Sequence, residues 1–270
     1  MLKIGFITAT YNRPELFERL HRSLAIQGDN AMWCHYVVDD GSRADYSDVF
    51  DSLQKLSGNL KTERISNSGV LIARNHAMEM AIADACTHLC FMDDDDILLP
   101  SSTGRMAECI RRYESRQWFV FPSKKEETPS TSWPDAPTEM SWFDDIILKQ
   151  CLGSDNLTVI AASLIGNVRF TTRGRNQREW SFFLELCRKD DRVLVLPYVL
   201  REIQYQSDGL TSQTQNGRYK PEQISNSIER ALKYWWLRPL SPKLFLQVIK
   251  QVGSAPLKLI IHNISHNQSR

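Results

Sequence analysis

Four times within the first hundred residues, a short apolar run ends in a cluster of small, hydroxyl-bearing or acidic residues. Lys3 to Ala9 gives way to Thr8-Ala9-Thr10-Tyr11-Asn12-Arg13-Pro14. Trp33 to Val38 runs into Asp39-Asp40-Gly41-Ser42, and Leu60 to Ile65 into Ser66-Asn67-Ser68-Gly69. Thr87 to Met92 ends in Asp93-Asp94-Asp95-Asp96. Between these runs the apolar spacing turns helical. Leu16, Phe17, Leu20 and Leu24 mark a helix over 14–27, residues 45–56 a second, and Ile72, Ala73, Ala77, Met80 and Ala81 a third over 70–83. Strand and helix in alternation predict a mostly parallel sheet with helices on both faces. In open sheets of that kind ligands bind beyond the carboxyl ends of the strands, so all four polar clusters should meet at one crevice.

The Asp93–Asp96 run carries the strongest chemical signal. Four adjacent carboxylates repel one another unless solvent or a cation screens them. At a strand end they offer the hard oxygen ligands that Mg²⁺ or Mn²⁺ takes. Taken alone, the run also fits a solvated acidic turn. Its position beside three other polar loops favours a cation that carries a diphosphate.

Beyond Pro100 the pattern predicts a helix over 101–114, a strand at 118–121, a surface loop over 122–140 as the internal boundary, and a short helix at 142–148. A strand at 156–164, a basic connection over 166–175, a helix at 178–186 and a strand at 193–199 follow, then a polar stretch at 205–220. Six cysteines are scattered along the chain; only Cys86 and Cys90 lie close, with no second pair to complete a metal site. They read as small core residues of a reducing cytosol. A net charge of +1 excludes a global argument for nucleic acid. The apolar run at 4–7 is shorter than a secretion signal needs, and no stretch approaches the ~20 apolar residues of a membrane span. The last fifty residues read as helices, and residues 231–270 contain no Asp or Glu. Trp235 and Trp236 beside Lys233 and Arg238 suit either packing on the main domain or a membrane interface, where anionic lipid attracts Lys and Arg.

Taken together, the motifs resemble the family 2 glycosyltransferases of the GT-A fold. Thr8-Ala9-Thr10-Tyr11-Asn12-Arg13 is similar to the family's opening nucleotide motif, and Val37-Val38-Asp39-Asp40-Gly41-Ser42 to its base-binding VDDGS. Asn67-Ser68-Gly69-Val70 through Ala73-Arg74-Asn75-His76-Ala77 is similar to N-x-G…ARN-x-A, and Asp93-Asp94-Asp95-Asp96 to D-x-D-D. The match is strong over 3–100, loose over 101–210 and absent over 220–270. The resemblance implies an α/β, Rossmann-like GT-A domain over 1–215, with a nucleotide half at about 1–100 and an acceptor half at about 101–215. A basic, helical extension over 216–270 follows.

For the site, the resemblance implies that Thr10, Tyr11, Asn12 and Arg13 line the nucleotide, with Tyr11 near the base and Asp39 or Asp40 on its imide edge. Asn67 and Gly69 close the same pocket, Asp93 faces the ribose and Asp94 is the spacer beside it. Asp95 holds Mn²⁺ or Mg²⁺ with Asp93 and Asp96 close by. Arg74 approaches the diphosphate, orients carboxylates, or forms a structural ion pair. The family's base, commonly Glu-Asp before an aromatic, falls on Arg178-Glu179-Trp180, so Glu179 is the candidate base, with Asp155 and Glu185 as weaker ones. Here Arg replaces the first acid and Glu the second. A histidine that some members carry after the last core strand is missing from Ile203-Gln204-Tyr205-Gln206-Ser207-Asp208, where Gln206 or Asp208 would lie near the phosphates or have no role. The implied activity is inverting transfer from a UDP-sugar to a glycan or lipid-linked glycan of a surface polysaccharide. It would take place in the cytoplasm or at the inner face of its membrane. A fold that has lost catalysis, or a sugar nucleotidyltransferase, are the alternatives. The second usually has a Gly-rich loop, which 8–14 lacks.

Overall fold

The computed structural model describes residues 1–28, 32–125, 133–152, 155–172, 178–204, 221–239 and 241–267. Met1–Gln204 forms one compact unit and Tyr205–Arg270 a second. In the first, the chain begins β1 (Lys3–Thr10), α1 (Pro14–Ala25), β2 (Met32–Asp39), α2 (Ser47–Ser57), β3 (Leu60–Arg64), α3 (Val70–Ala83) and β4 (His88–Phe91). These four strands are mutually parallel, in the order β3-β2-β1-β4. The chain adds β2 and β3 on one side of β1, then crosses to place β4 on the other. The order reverses between β1 and β4, the place where open sheets of this kind take ligands at the strands' carboxyl ends.

The chain continues through β5 (Asp96–Leu98), α4 (Ser102–Arg112), β6 (Trp118–Phe121), β7 (Ser123–Lys125), β8 (Thr138–Ser141), a π-helix (Trp142–Leu148), β9 (Leu157–Ala161), α5 (Ala162–Ile165), α6 (Glu179–Lys189), β10 (Arg192–Val195) and β11 (Arg201–Ile203). Strands β9, β6, β10 and β8 complete an eight-stranded sheet, while β5, β11 and β7 make a separate three-stranded one. Strand β9 runs antiparallel to both β4 and β6. Its five residues are all buried, so its apolar pattern reads the same in either direction. The expected strand at 156–164 stops at Ala161 and turns into α5, and the expected helix at 142–148 is a π-helix. The loop expected over 122–140 carries strand residues at both ends; 126–132 and 205–220 lie outside the described residues.

Both faces of the large sheet are covered, which is why its strands read as continuous apolar runs. Tyr36, Leu71, Ala77, Leu89, Trp118 and Phe182 pack on the face that α3 and α6 cover. Phe6, Leu20, Trp33, Met106, Phe119 and Leu157 pack on the face covered by α1 and α4. Alternate residues of β1 serve both layers, Phe6 on one and Ile7 on the other. The second unit contains the helices Pro221–Leu237 and Pro242–Asn267, which pack on each other, with the Trp235 and Phe245 rings 6.3 Å apart. Among the described residues no helix is long and apolar enough to cross a membrane.

Candidate active site

The four polar clusters meet where the topology directs them, and hydrogen bonds knit them together. From the first loop, the Arg13 N–H donates to Tyr46 Oη (2.7 Å), Tyr46 lies 2.9 Å from Thr10 Oγ1, and Thr10 Oγ1 donates to Asp94 Oδ2 (3.0 Å). Because Thr10 gives its proton to the carboxylate and Tyr46 accepts from Arg13, Tyr46 must donate to Thr10. The relay has one consistent direction, ending on Asp94. Asn12, at φ +55°, links the first loop to the second: its N–H donates to Ser42 Oγ (2.8 Å), and its Oδ1 accepts from the Arg43 N–H (2.7 Å). Thr10 and Asn12 therefore build the cradle with these atoms. Tyr11 between them is 43% exposed.

The second loop separates the two carboxylates that the sequence left equivalent. Asp39 is wholly buried, with Oδ1 accepting from the Ser42 N–H (2.9 Å) and Oδ2 facing Arg64 Nε at 3.4 Å without a hydrogen bond. Asp40 is 5% exposed and reaches the third loop, accepting from the Ser68 N–H (2.7 Å) and the Gly69 N–H (2.9 Å). Asn67 Nδ2 donates to the Asp40 carbonyl (2.9 Å). Gly41 sits at φ +72°, and a Cβ there would lie 2.6 Å from the Asn67 nitrogen. Only glycine lets the two loops approach this closely. Gly69, at φ +99°, leads into α3.

The four aspartates point in different directions. Asp94, expected as a spacer, is instead buried under Thr10 and Arg13, whose Nη1 lies 3.4 Å from its Oδ1. Burial pushes its carboxyl up to about 6, against the pull of Arg13. Asp95 is pushed up to about 6 by burial and by the charges of Asp93 and Asp94, with Arg13 Nη1 at 3.6 Å from its Oδ2. Asp96, expected at the metal, turns inward, where its Oδ2 accepts from the Asp93 N–H (2.9 Å) and from Arg201 Nη1 (2.8 Å). Burial raises its pKa and Arg201 opposes the rise. Asp93 is exposed and pairs with Arg74. Thus the ligand trio Asp93, Asp95 and Asp96 does not converge, and no three acids, thiols or imidazoles do so among the described residues. The acceptors that remain near the surface are Asp93 and Asp95.

Arg74, near the start of α3, joins this loop to α6. One guanidinium arm is on Asp93, and Nη1 lies 3.5 Å from Glu179 Oε1, while its Nε is buried without a hydrogen bond. Glu179 is the first residue of α6, where a carboxylate also benefits from the helix dipole. The next residue of α3, Asn75, clamps the Phe170 backbone in both directions at 2.9 Å. The Phe170 ring stacks on Phe182 of α6 at 4.3 Å. Asp155, at φ +63°, lends its carbonyl to Arg201, and Glu185 pairs with Arg188. Neither joins Glu179. Gln206 and Asp208 lie outside the described residues.

Tyr46, Arg19 and Arg201 were not singled out from sequence. Arg19 Nη2 donates to the Asp95 carbonyl (2.9 Å), and Arg201 joins Asp96, Ser123 and the Asp155 carbonyl. All three are supports whose partners lie far away in sequence.

A switch-point crevice with an acidic strand end on one side and a helix-borne glutamate on the other is the arrangement of the GT-A glycosyltransferases. The family described as "Glycosyl transferase family 2" matches residues 6–162, more than half of the sequence, and the chain belongs to it. No curated protein matches. Among solved structures, Staphylococcus aureus TarS 1–349 in complex with UDP-GlcNAc superposes with a TM-score of 0.72 at 16% identity, over 95% of this chain and 81% of that one. Its complex with UDP gives 0.67 at 16% identity, over 100% and 92%. The Pyrobaculum calidifontis mannosyltransferase PcManGT with GDP-Man and Mn²⁺ gives 0.61 at 12% identity, over 97% and 75%. At such identities these neighbours establish the fold, and with the family match they make the chain an enzyme of glycosyl transfer.

Proposed function

We propose that this glycosyltransferase is inverting and metal-dependent, takes a UDP-sugar, and transfers the sugar to a glycan or lipid-linked glycan in surface polysaccharide synthesis. The observation that carries this reading is the Arg74 bridge, which brings the donor-side Asp93 and the helix-borne Glu179 into one crevice. Asp95 and Asp93 would hold Mn²⁺ or Mg²⁺. Hard oxygens fit such ions, two carboxylates with phosphates are a common set, and the Asp95 carboxyl, pushed up to about 6 by burial and by the charges of Asp93 and Asp94, is complementary to a cation. When bound, the cation neutralises the departing diphosphate. Asp40, less deeply buried than Asp39, is the reader of the base's N–H edge, and exposed Tyr11 stacks beside it. Glu179 takes the proton from the acceptor hydroxyl as its oxygen bonds to the anomeric carbon. The sugar–phosphate bond breaks on the opposite face, and its electron pair leaves on the nucleoside diphosphate. TarS crystallised with UDP and UDP-GlcNAc supports a uridine donor, and PcManGT with Mn²⁺ supports a divalent metal. The acid-free segment 231–270 is proposed to hold the enzyme at an anionic membrane face, where a lipid-linked acceptor would lie.

The test is calorimetry with UDP and Mn²⁺, followed by a screen of UDP-sugars for UDP release. Wild type should bind UDP only with the metal, and Asp95→Ala should lose both binding and turnover. Glu179→Gln should cut turnover ~100-fold or more with UDP affinity nearly intact. Absent UDP binding overturns the reading, binding without turnover would indicate a protein that has lost catalysis, and pyrophosphate release would indicate a nucleotidyltransferase.

A further inference from the structure

We propose that Arg74 is a positioning residue that makes the placement of Glu179 depend on what Asp93 holds. The inference rests on the reading of Glu179 as the base. Three observations carry it. The guanidinium is shared, with Asp93 on one arm and Glu179 Oε1 3.5 Å from Nη1 on the other. It is also confined: the Arg74 side chain is 12% exposed, its Nε is buried without a hydrogen bond, and the Phe170 ring lies 6.0 Å from its charge. Finally, its ends are mounted on different supports. Asp93 follows β4 and is steadied by its N–H on Asp96, whereas Glu179 opens α6, which Phe182 and Phe170 tie back to Asn75, the neighbour of Arg74.

A planar fork can hold two carboxylates at once, and an ammonium cannot reproduce that geometry. The exposed Asp93 is one of two claimants on Arg74. When Asp93 takes a ribose hydroxyl or shares a cation, it gives up part of its hold on the guanidinium. The share left to Glu179 grows, and the first turn of α6 is drawn into place. The base is thus set after the donor arrives, which favours an acceptor hydroxyl over water admitted to an empty site. The residue before Glu179 is Arg178, a cation, so the competition for Arg74 lies between Glu179 and Asp93.

The experiment is hydrogen–deuterium exchange on the full chain with and without UDP and Mn²⁺, in wild type and Arg74→Lys. In wild type, nucleotide and metal should slow exchange ~3-fold or more in the peptide covering 178–186, which reports local ordering. In Arg74→Lys that response should vanish while calorimetric affinity for UDP·Mn²⁺ stays within about threefold. With the UDP-sugar that releases UDP fastest, Arg74→Lys should lower kcat ~10-fold or more at nearly unchanged donor KM, as for a displaced base. Three results overturn the proposal: an unaltered α6 response in Arg74→Lys, no response in wild type, or loss of UDP·Mn²⁺ affinity in the variant, which would make Arg74 a diphosphate ligand. An unchanged rate in Glu179→Gln would instead remove the base assignment, because the exchange response does not depend on it.

Discussion

At the residue scale, the acidic run shows what sequence can and cannot resolve. Four aspartates at a strand end announce a charged edge, but the places of Asp94 and Asp96 are set by partners 81 to 105 positions away. Thr10 and Arg13 claim Asp94, while Arg201 claims Asp96. Apolar periodicity carries no information about such pairings. The same holds for Asp39 and Asp40, which become distinct only when Ser42 engages one and Ser68 with Gly69 the other. Gly41 is the residue on which the second loop depends most. An added methyl would meet the Asn67 nitrogen at 2.6 Å in a conformation that L side chains rarely adopt. Gly41→Ala should therefore cost about 2 kcal/mol or more of stability, from strain and from the loss of the close approach to Asn67. Urea unfolding measures the loss. It should be accompanied by weaker UDP·Mn²⁺ binding, because the Asp40–Asn67 contact rests on the same turn. A midpoint equal to wild type would mean that the loops part freely.

At the element scale, helices and long buried strands were legible because their spacing is regular. The three-residue strands β5, β7 and β11 were not, since so short a segment has no period, and the direction of β9 was hidden by its uniform burial. The join between α1 and β2 was equally hidden. His21 and His35 lie side by side with Nδ1 atoms 3.0 Å apart, His35 Nε2 is 3.0 Å from Thr8 Oγ1, and His21 Nε2 is 2.9 Å from Ser57 Oγ. Thr8 gives its proton to the Met92 carbonyl, so His35 must donate to Thr8 and accept from His21, which in turn accepts from Ser57. That order requires both rings neutral. Burial, with Arg22 adding to it, pushes His21 down to about 4, and burial with His21 pushes His35 well below the usual range. A folded pKa below the unfolded value means that the unfolded chain binds more protons as pH falls from about 6.5 to 4. The stabilisation present above 6.5 is lost over that window. Asp94 and Asp95, both raised to about 6, act in the opposite sense there, because the folded chain protonates first. The wild-type profile mixes the two, so the variant difference is the clean measure. On moving from pH 7 to pH 5, His21→Gln should gain about 2 kcal/mol relative to wild type in urea unfolding. Parallel profiles would show that the pair is not held neutral.

At the scale of the whole molecule, the tail divides what composition can say from what only coordinates can. The absence of acids over 231–270 is visible in the sequence, yet which apolar side chains stay outside is not. Leu232 and Trp236 are exposed one turn apart on the helix Pro221–Leu237, with Trp236 at 76%. Phe245, Ile249 and Val252 recur at i, i+4 and i+7 on the helix Pro242–Asn267, exposed along one stripe, with Leu246 beside it. Glu222 and Glu229 lie on the first of these helices, but from residue 231 onward the apolar stripes are flanked by Lys and Arg alone, the makeup of an interfacial segment. Each side chain of this size releases about 1.5–3 kcal/mol on full burial, and each nearby Lys or Arg adds about 1 kcal/mol at an anionic surface. Two or three inserted side chains with a few cations therefore suffice for reversible binding. The full chain should co-sediment with vesicles containing phosphatidylglycerol at low salt, and far less with pure phosphatidylcholine or at high salt, where the charges are screened. Phe245→Glu with Ile249→Glu should abolish sedimentation while leaving UDP·Mn²⁺ affinity intact, because neither residue belongs to the nucleotide crevice. Equal binding to both vesicle types would remove the electrostatic part of the argument. If the wild type instead self-associates in analytical ultracentrifugation and the double substitution makes it monomeric, the stripe is covered by a second copy of this chain rather than by lipid.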